Sequence, residues 1–248
     1  MNSVTLEFCG RAYQECAYKL AAIWARNVWL DVPCCVIGGG ESFKQVPVEC
    51  LVGKKVIGVN RGAEFFDVDI WYFGDVSYYE KMEQMIYKDV NKEGWSRWNS
   101  PSVLKVCPSP ITPYVFKKCV WAVRRLLKPE ITRDFYNGIY PGGNSGLGAL
   151  VLAIALGANP IYLLGFDMKM KVSDHWHSGY PGQDKISFKR KLQVYRKEIE
   201  RLVPLIDKVG VKVYNAYEDS ELKCFPYRPV PIVRVDAKQE AAMLLSNL

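Results

Sequence analysis

Residues 142–168 read GGNSGLGALVLAIALGANPIYLLGFDM, and they decide the fold. Glycines and polar side chains open the stretch, and Asn144 or Ser145 can cap a helix there. Leu147, Leu150, Val151 and Ile154 then recur at helical spacing. Gly157 ends the helix in the manner of a C′ glycine, and Pro160 leads into IYLLGFD, a short apolar run with the length of a buried strand. Loop, helix, turn and strand in this order form one unit of an α/β protein with a parallel sheet.

The same pattern extends in both directions. Upstream, Cys34-Cys35-Val36-Ile37 is a short apolar run that ends in Gly38-Gly39-Gly40, a buried strand followed by a tight turn. KKVIGVN (54–60) and VDIWYFGD (68–75) read as two more strands, and their continuous apolar character suits a sheet covered on both faces. Residues 76–98 are expected to be helical, VLKVC (103–107) a strand, and YVFKKCVWAVRRLL (114–127) a helix with a basic face. Downstream, residues 187–206 predict a long amphipathic helix and VKVYNA (211–216) a final strand. About 11–30 is also expected to be helical. The fold class expected is α/β, a Rossmann-like, doubly wound, mainly parallel sheet with helices on both faces. A single nucleotide-binding domain would span 1–248, with 1–31 as an N-terminal helical extension and 76–140 as a less regular helical insertion.

Composition agrees with a globular enzyme or binding domain. The chain has 248 residues, 49% of them hydrophobic and 24% charged, which excludes a disordered, collagenous or coiled-coil protein. There is no run of 18 apolar residues to act as a transmembrane segment, and MNSVTLEFCGRAYQEC lacks the order of a signal peptide. A cytoplasmic location is therefore expected. Eight cysteines without a CxxC pair fit reduced, structural thiols. The net charge of +7 is unevenly placed: residues 117–133 hold six basic and one acidic residue, and residues 169–201 nine basic and four acidic. Either these are two solvated helix faces or they flank a site for an anionic partner.

In an open α/β sheet the ligand binds beyond the carboxyl ends of the strands. This selects Gly38-Gly39-Gly40-Glu41-Ser42, Asn60-Arg61, Asp75, Asn144-Ser145-Gly146 and Asp167. A glycine turn lets backbone amides approach a phosphate, although GGGES is not the dinucleotide fingerprint GxGxxG, and a tight turn without ligand reads the same way. GGNSG places glycines, a hydroxyl and a helix N-terminus together as a second anion site. Asp67-Val68-Asp69 has the DxD form of metal-dependent glycosyltransferases, but it precedes a strand, so Asp67 is expected in a turn. Asp75, at the carboxyl end of that strand, is better placed for a ligand or magnesium. Both histidines of the chain stand in SDHWHSG (173–179). They suit a general base, part of a metal site with Asp174, or a structural loop.

VIGGGESF, VIGVNRG, NSGLGALVLAIALGANPIYLLGFDM, the histidine loop and VKVYNAYEDSEL together resemble the bacterial sialyltransferases of glycosyltransferase family 42. They are similar also to the domain shared by archaeal 6-hydroxymethylpterin pyrophosphokinases and flagellin-glycosylation proteins. The resemblance covers about residues 34–75 and 140–220. It implies a glycosyltransferase that takes a sugar from a nucleotide-sugar donor to an acceptor hydroxyl. The donor expected is CMP- or UDP-linked, and the acceptor a glycan, a small molecule or, as the basic segments allow, a nucleic acid. The resemblance implies further that Gly38, Gly40 and Ser42 hold phosphates, that Asn60 contacts nucleotide or sugar, and that Ser145 and Gly146 contact the cytidine portion. His177, or His175, would be the base, and no metal would be needed. The sequence departs from the pattern at Glu41, Phe43, Gly142, Met168 and Met170.

The catalytic candidates are thus His177, His175 and Asp167. The nucleotide-binding candidates are Gly38, Gly39, Gly40, Ser42, Asn60, Arg61, Asp75, Asn144, Ser145 and Gly146, with no metal ligand assigned. The alternatives are a magnesium-dependent pyrophosphokinase, with Asp75 and Asp167 on the metal, and a nucleotide-binding protein without catalysis.

Overall fold

The computed structural model describes residues 28–87, 89–108, 120–133, 138–169 and 185–232. Seven parallel strands form one sheet: β1 (Cys34–Ile37), β2 (Lys55–Val59), β3 (Ile70–Tyr72), β4 (Leu104–Cys107), β5 (Val120–Ala122), β6 (Ile161–Leu164) and β7 (Val213–Asn215), in the order β5-β4-β3-β2-β1-β6-β7. From β1 the chain steps outward to β5, then returns to lay β6 on the other side of β1, with β7 beyond it. The direction of winding therefore reverses between β1 and β6, where Val36 pairs with Ile57 on one side and with Leu163 on the other. This is the doubly wound α/β architecture expected, and the reversal is where such sheets open a crevice.

The helices are α1 (Val76–Glu83), α2 (Lys92–Asn99), α3 (Ser145–Ala155) and α4 (Lys185–Lys208). Successive strand residues point to opposite faces, so two cores form. Cys34, Val36, Ile57, Val59, Ile161 and Leu163 meet α3 and the Ile199, Leu202 and Ile206 stripe of α4. Cys35, Ile37, Val56, Trp71, Phe73 and Leu164 meet Tyr78, Tyr79 and Met82 of α1 and Trp98 of α2. Burial on both faces explains why the strands read as unbroken apolar runs. α3 is apolar all round because it is enclosed: Leu147 through Ala155 are all buried. Asn144 is its cap, accepting from Leu147 N at 2.8 Å. Gly157, at φ +96°, terminates it, with its amide on Ile154 O and that of Ala158 on Ala153 O.

One expectation is corrected. Residues 120–122, read as part of a basic helix, form β5 and pair with β4 through Lys105, Val106 and Cys107. Val120 and Ala122 are buried with Trp121 half-buried between them, an alternation that a window of helical spacing over so few residues conceals. The stretch 76–140 accordingly carries two strands of the sheet besides α1 and α2. The helix expected over 11–30 falls almost wholly outside the described residues, and residues 28–31 form a turn. Among the described residues no helix is long and apolar enough to cross a membrane.

Candidate functional site

At the carboxyl ends of β1, β2, β3 and β6 lies a cavity of about 550 Å³. Its walls include Gly38–Gly40, Asn60, Gly74, Asp75, Gly142–Gly146, Gly165–Lys169 and, from α4, Phe188, Leu192 and Tyr195. The sequence-selected loops thus converge on one place. The roles of their side chains differ from those expected.

The glycine turn after β1 is first a crossing of two chains. Gly38 N donates to Leu164 O at 2.7 Å and Gly40 N to Gly165 O at 2.8 Å, so these amides prolong the pairing with β6. A Cβ on Gly38 would stand 2.8 Å from Gly165 O, and one on Gly40 2.6 Å from the Asp167 carboxyl carbon. Glycine is required here by the neighbouring strand, whatever the cavity holds. Ser42 is buried, and both its amide (3.0 Å) and its hydroxyl donate to the Asp167 carboxylate. Asp167, 3% exposed, is a latch across the reversal, and the Ser42 hydroxyl is committed to it.

Asn60, directly after β2, is a non-glycine residue at φ +49°. Its Nδ2 donates to Ser145 Oγ at 3.4 Å, and Gly74 N donates to the same oxygen at 3.2 Å. The Ser145 hydroxyl therefore ties the ends of β2 and β3 to the first residue of α3. Asn60 Oδ1, Asn144 Nδ2 and the Tyr72 hydroxyl are buried beside the cavity without a hydrogen-bond partner among the described residues, and such groups are uncommon unless a water, ion or ligand completes them. Arg61 lines the cavity but its guanidinium is engaged: Nε reaches Glu64 at 2.6 Å and Nη1 reaches Asp89 at 2.9 Å, with the guanidinium carbon 5.4 Å from the Tyr87 ring centroid. Its two carboxylates hold the guanidinium firmly charged, and it braces the turn that presents Asn60. Asp75 lines the cavity while capping α1, accepting from Tyr78 N at 2.9 Å and from Ser77 Oγ at 2.5 Å. Asp67 is exposed in the loop before β3 and pairs with Arg97 at 3.0 Å.

Sequence reasoning passed over three participants. Glu198 of α4 accepts the Gly143 amide on both carboxylate oxygens at 2.9 Å and the Tyr140 hydroxyl at 3.2 Å. It clamps the loop that feeds α3, and nothing in a charged helix distinguishes it beforehand. Tyr72 lies in β3 with its hydroxyl against Gly148, and burial pushes that hydroxyl far above the usual phenol range. Arg125 stands on the cavity wall just past β5.

His175 and His177 lie outside the described residues. Met168 and Lys169 before that stretch and Phe188 after it all line the cavity. Among the described residues, no three His, Cys, Asp or Glu side chains are grouped to hold a metal ion.

No protein-family model matches the chain, and no curated protein matches it. Among solved structures, the chain matches the Maf glycosyltransferase of Magnetospirillum magneticum AMB-1 at TM-score 0.53 and 13% identity over 94% of its length. The fold is one that a glycosyltransferase uses. The chain spans 41% of that protein. It matches the sialyltransferase CstII of Campylobacter jejuni, solved with cytidine-5′-monophosphate, at TM-score 0.46 and 14% identity over 84% of this chain and 88% of that one. A second CstII structure, with CMP-3FNeuAc, matches at TM-score 0.47 and 14% identity over 88% of this chain and all of that one.

Proposed function

We propose that this protein is a glycosyltransferase that moves a sugar from a CMP- or UDP-linked donor to an acceptor hydroxyl. The observation that carries the reading is the cavity at the strand reversal. Its volume of about 550 Å³ falls in the range of small-ligand sites, and unpartnered polar groups on Asn60, Tyr72 and Asn144 crowd its wall. The fold likeness to the Maf glycosyltransferase and the sequence resemblance to family 42 support the same class.

In this reading the nucleotide lies between the Asn60 turn and the Asn144–Gly146 turn, with the sugar toward α4. A histidine of 173–179, His177 by the closer correspondence, removes the proton of the acceptor hydroxyl. The acceptor oxygen then bonds to the anomeric carbon as the bond to the nucleotide phosphate breaks on the opposite face, so the configuration inverts. Donors fixed beforehand stabilise the departing phosphate. Met168 and Lys169, before the histidine stretch, and Phe188, after it, line the cavity, which supports this reading.

The test is hydrolysis and transfer with a panel of CMP-, UDP- and GDP-sugars. The expected result is turnover of a CMP- or UDP-linked donor that falls at least about a hundredfold in His177→Ala, as for loss of a general base. Turnover that is unchanged in both His177→Ala and His175→Ala removes the histidine from the mechanism, and no turnover of any sugar nucleotide removes the class.

A further inference from the structure

Three basic side chains line the cavity among the described residues: Arg61, Arg125 and Lys169. Two are spent. Arg61 is held by Glu64 and Asp89, and Lys169 pairs with Asp219 at 2.5 Å. Arg125 remains. Among the described residues no carboxylate pairs with it, and its side chain is exposed at the cavity wall.

Arg125 is nevertheless rooted in rigid backbone. Leu126 N donates to Ile139 O at 2.8 Å and Ile139 N to Arg124 O at 2.9 Å, so hydrogen bonds hold the chain on both sides of it. Ile139 is itself 1% exposed. Three residues past Ile139 the chain enters Gly142-Gly143-Asn144 and the N-terminal turn of α3, whose Ser145 and Gly146 line the same cavity while the Leu147 amide is taken by the Asn144 cap. Tyr72 adds an independent observation there. It is 0% exposed, its hydroxyl has no partner among the described residues, and it sits against Gly148 in the first turns of α3. The positive charge of Arg125 acts on that hydroxyl, partly opposing the effect of burial.

We propose that Arg125 and the N-terminal turn of α3 form the phosphate subsite of the cavity, with Arg125 binding the phosphate of the sugar nucleotide. This rests on the nucleotide-sugar reading above and adds the group that takes the charge. A guanidinium presents two parallel N–H donors that match two phosphate oxygens, and a helix N-terminus favours the same anion. The Gly38–Gly40 turn is less suited to this task, because its Gly38 and Gly40 amides are occupied by Leu164 and Gly165. Arg125 does no proton transfer. It positions the leaving phosphate and meets the charge that grows on it.

The experiment compares wild type, Arg125→Gln, Arg125→Lys and Arg124→Gln by calorimetric titration at low salt. The probes are CMP, UDP, cytidine, uridine and inorganic pyrophosphate. Arg124→Gln removes the same charge one residue away and controls for the general field. Arg125→Gln is expected to weaken the preferred nucleotide roughly tenfold to a hundredfold, the scale of one charge-assisted contact, and to change its nucleoside less than about twofold. Arg125→Lys is expected to recover part of the loss, and Arg124→Gln to bind like wild type. Thermal unfolding of each free variant confirms that the fold is kept. The proposal is overturned if Arg125→Gln binds nucleotide like wild type, or if Arg124→Gln loses as much. Pyrophosphate binding that depends on Arg125, with no nucleotide bound by wild type, would keep the anion subsite and overturn the nucleotide-sugar reading instead.

Discussion

A carboxylate taken out of water at a strand end needs donors fixed in place, and Asp167 finds them on Ser42. Ser42→Ala removes the hydroxyl donor and leaves the amide. The expected cost is about 1–3 kcal/mol, read from urea unfolding, with no change in nucleotide affinity beyond what the loss of fold explains. Arg61→Met leaves Glu64, 0% exposed, without its cation, and the expected loss is about 3–5 kcal/mol by the same measurement. Both residues look like free strand-end groups in the sequence. Ser42 and Asp167 are 125 positions apart, and the partner of Arg61 at Asp89 lies beyond an intervening strand and helix, so no local pattern announces either pair. What the residue types did convey was place: each candidate that the structure describes stands at the carboxyl end of a strand or the start of a helix.

The thiols act at this scale too. Burial pushes Cys35 and Cys107 up to about 12 from the ordinary value of 9.0, and Cys34 is raised as well. The folded state then holds these protons more tightly than the unfolded state. Their stabilising effect is complete below pH 9 and is lost as pH rises from 9 toward 12. Each thiol costs about 1.4 kcal/mol per pH unit in that window. Urea midpoints measured at pH 8, 9 and 10 are expected to fall with increasing steepness, and a flat profile would contradict the buried thiols.

At the level of elements, α3 shows how tertiary contact overrides propensity. Glycine inside a helix normally gives about 1 kcal/mol to alanine, yet a Cβ on Gly148 would collide with the Tyr72 hydroxyl. Gly148→Ala is therefore expected to destabilise by about 1–3 kcal/mol, and Tyr72→Phe in the same chain to recover part of it, since the ring carbon would still stand 2.8 Å from the new Cβ. Denaturant unfolding of the two single variants and the pair measures the coupling, and strict additivity would show that the helix and β3 are not in contact there. The helix itself was fully legible, because its cap, its stripe and its terminal glycine all lie within one stretch of chain. β5 was not. Val-Trp-Ala between basic residues suits either period, and only pairing with Lys105–Cys107 of β4 decides for a strand. Glu198 belongs with β5: its clamp on Gly143 is made between elements, where sequence spacing carries no information.

For the whole molecule, the alternation of strand and helix correctly gave a doubly wound sheet, whereas the order of strands came only from their pairing. That order sets a gradient. β1, β2 and β6 lie between paired neighbours, while β5 and β7 are the edges. Hydrogen exchange followed by mass spectrometry is expected to be slowest in peptides over 34–37 and 161–164 and faster over 120–122 and 213–215, since edge amides open without breaking the interior. Equal protection throughout would contradict the strand order.

The seam between β1 and β6 also divides the chain. Every strand before it in the sheet belongs to residues 34–122 and both strands beyond it to 161–215, with an exposed connection at 127–130 where Leu127 is 89% exposed. A polypeptide cut there yields one fragment with Gly38–Gly40, Asn60, Asp75 and Arg125, and another with Asn144–Gly146, Asp167 and Tyr195. Neither fragment holds the whole cavity wall, so any molecule that fills the cavity would register the reunion of the halves, and the protein is a natural candidate for a split reporter.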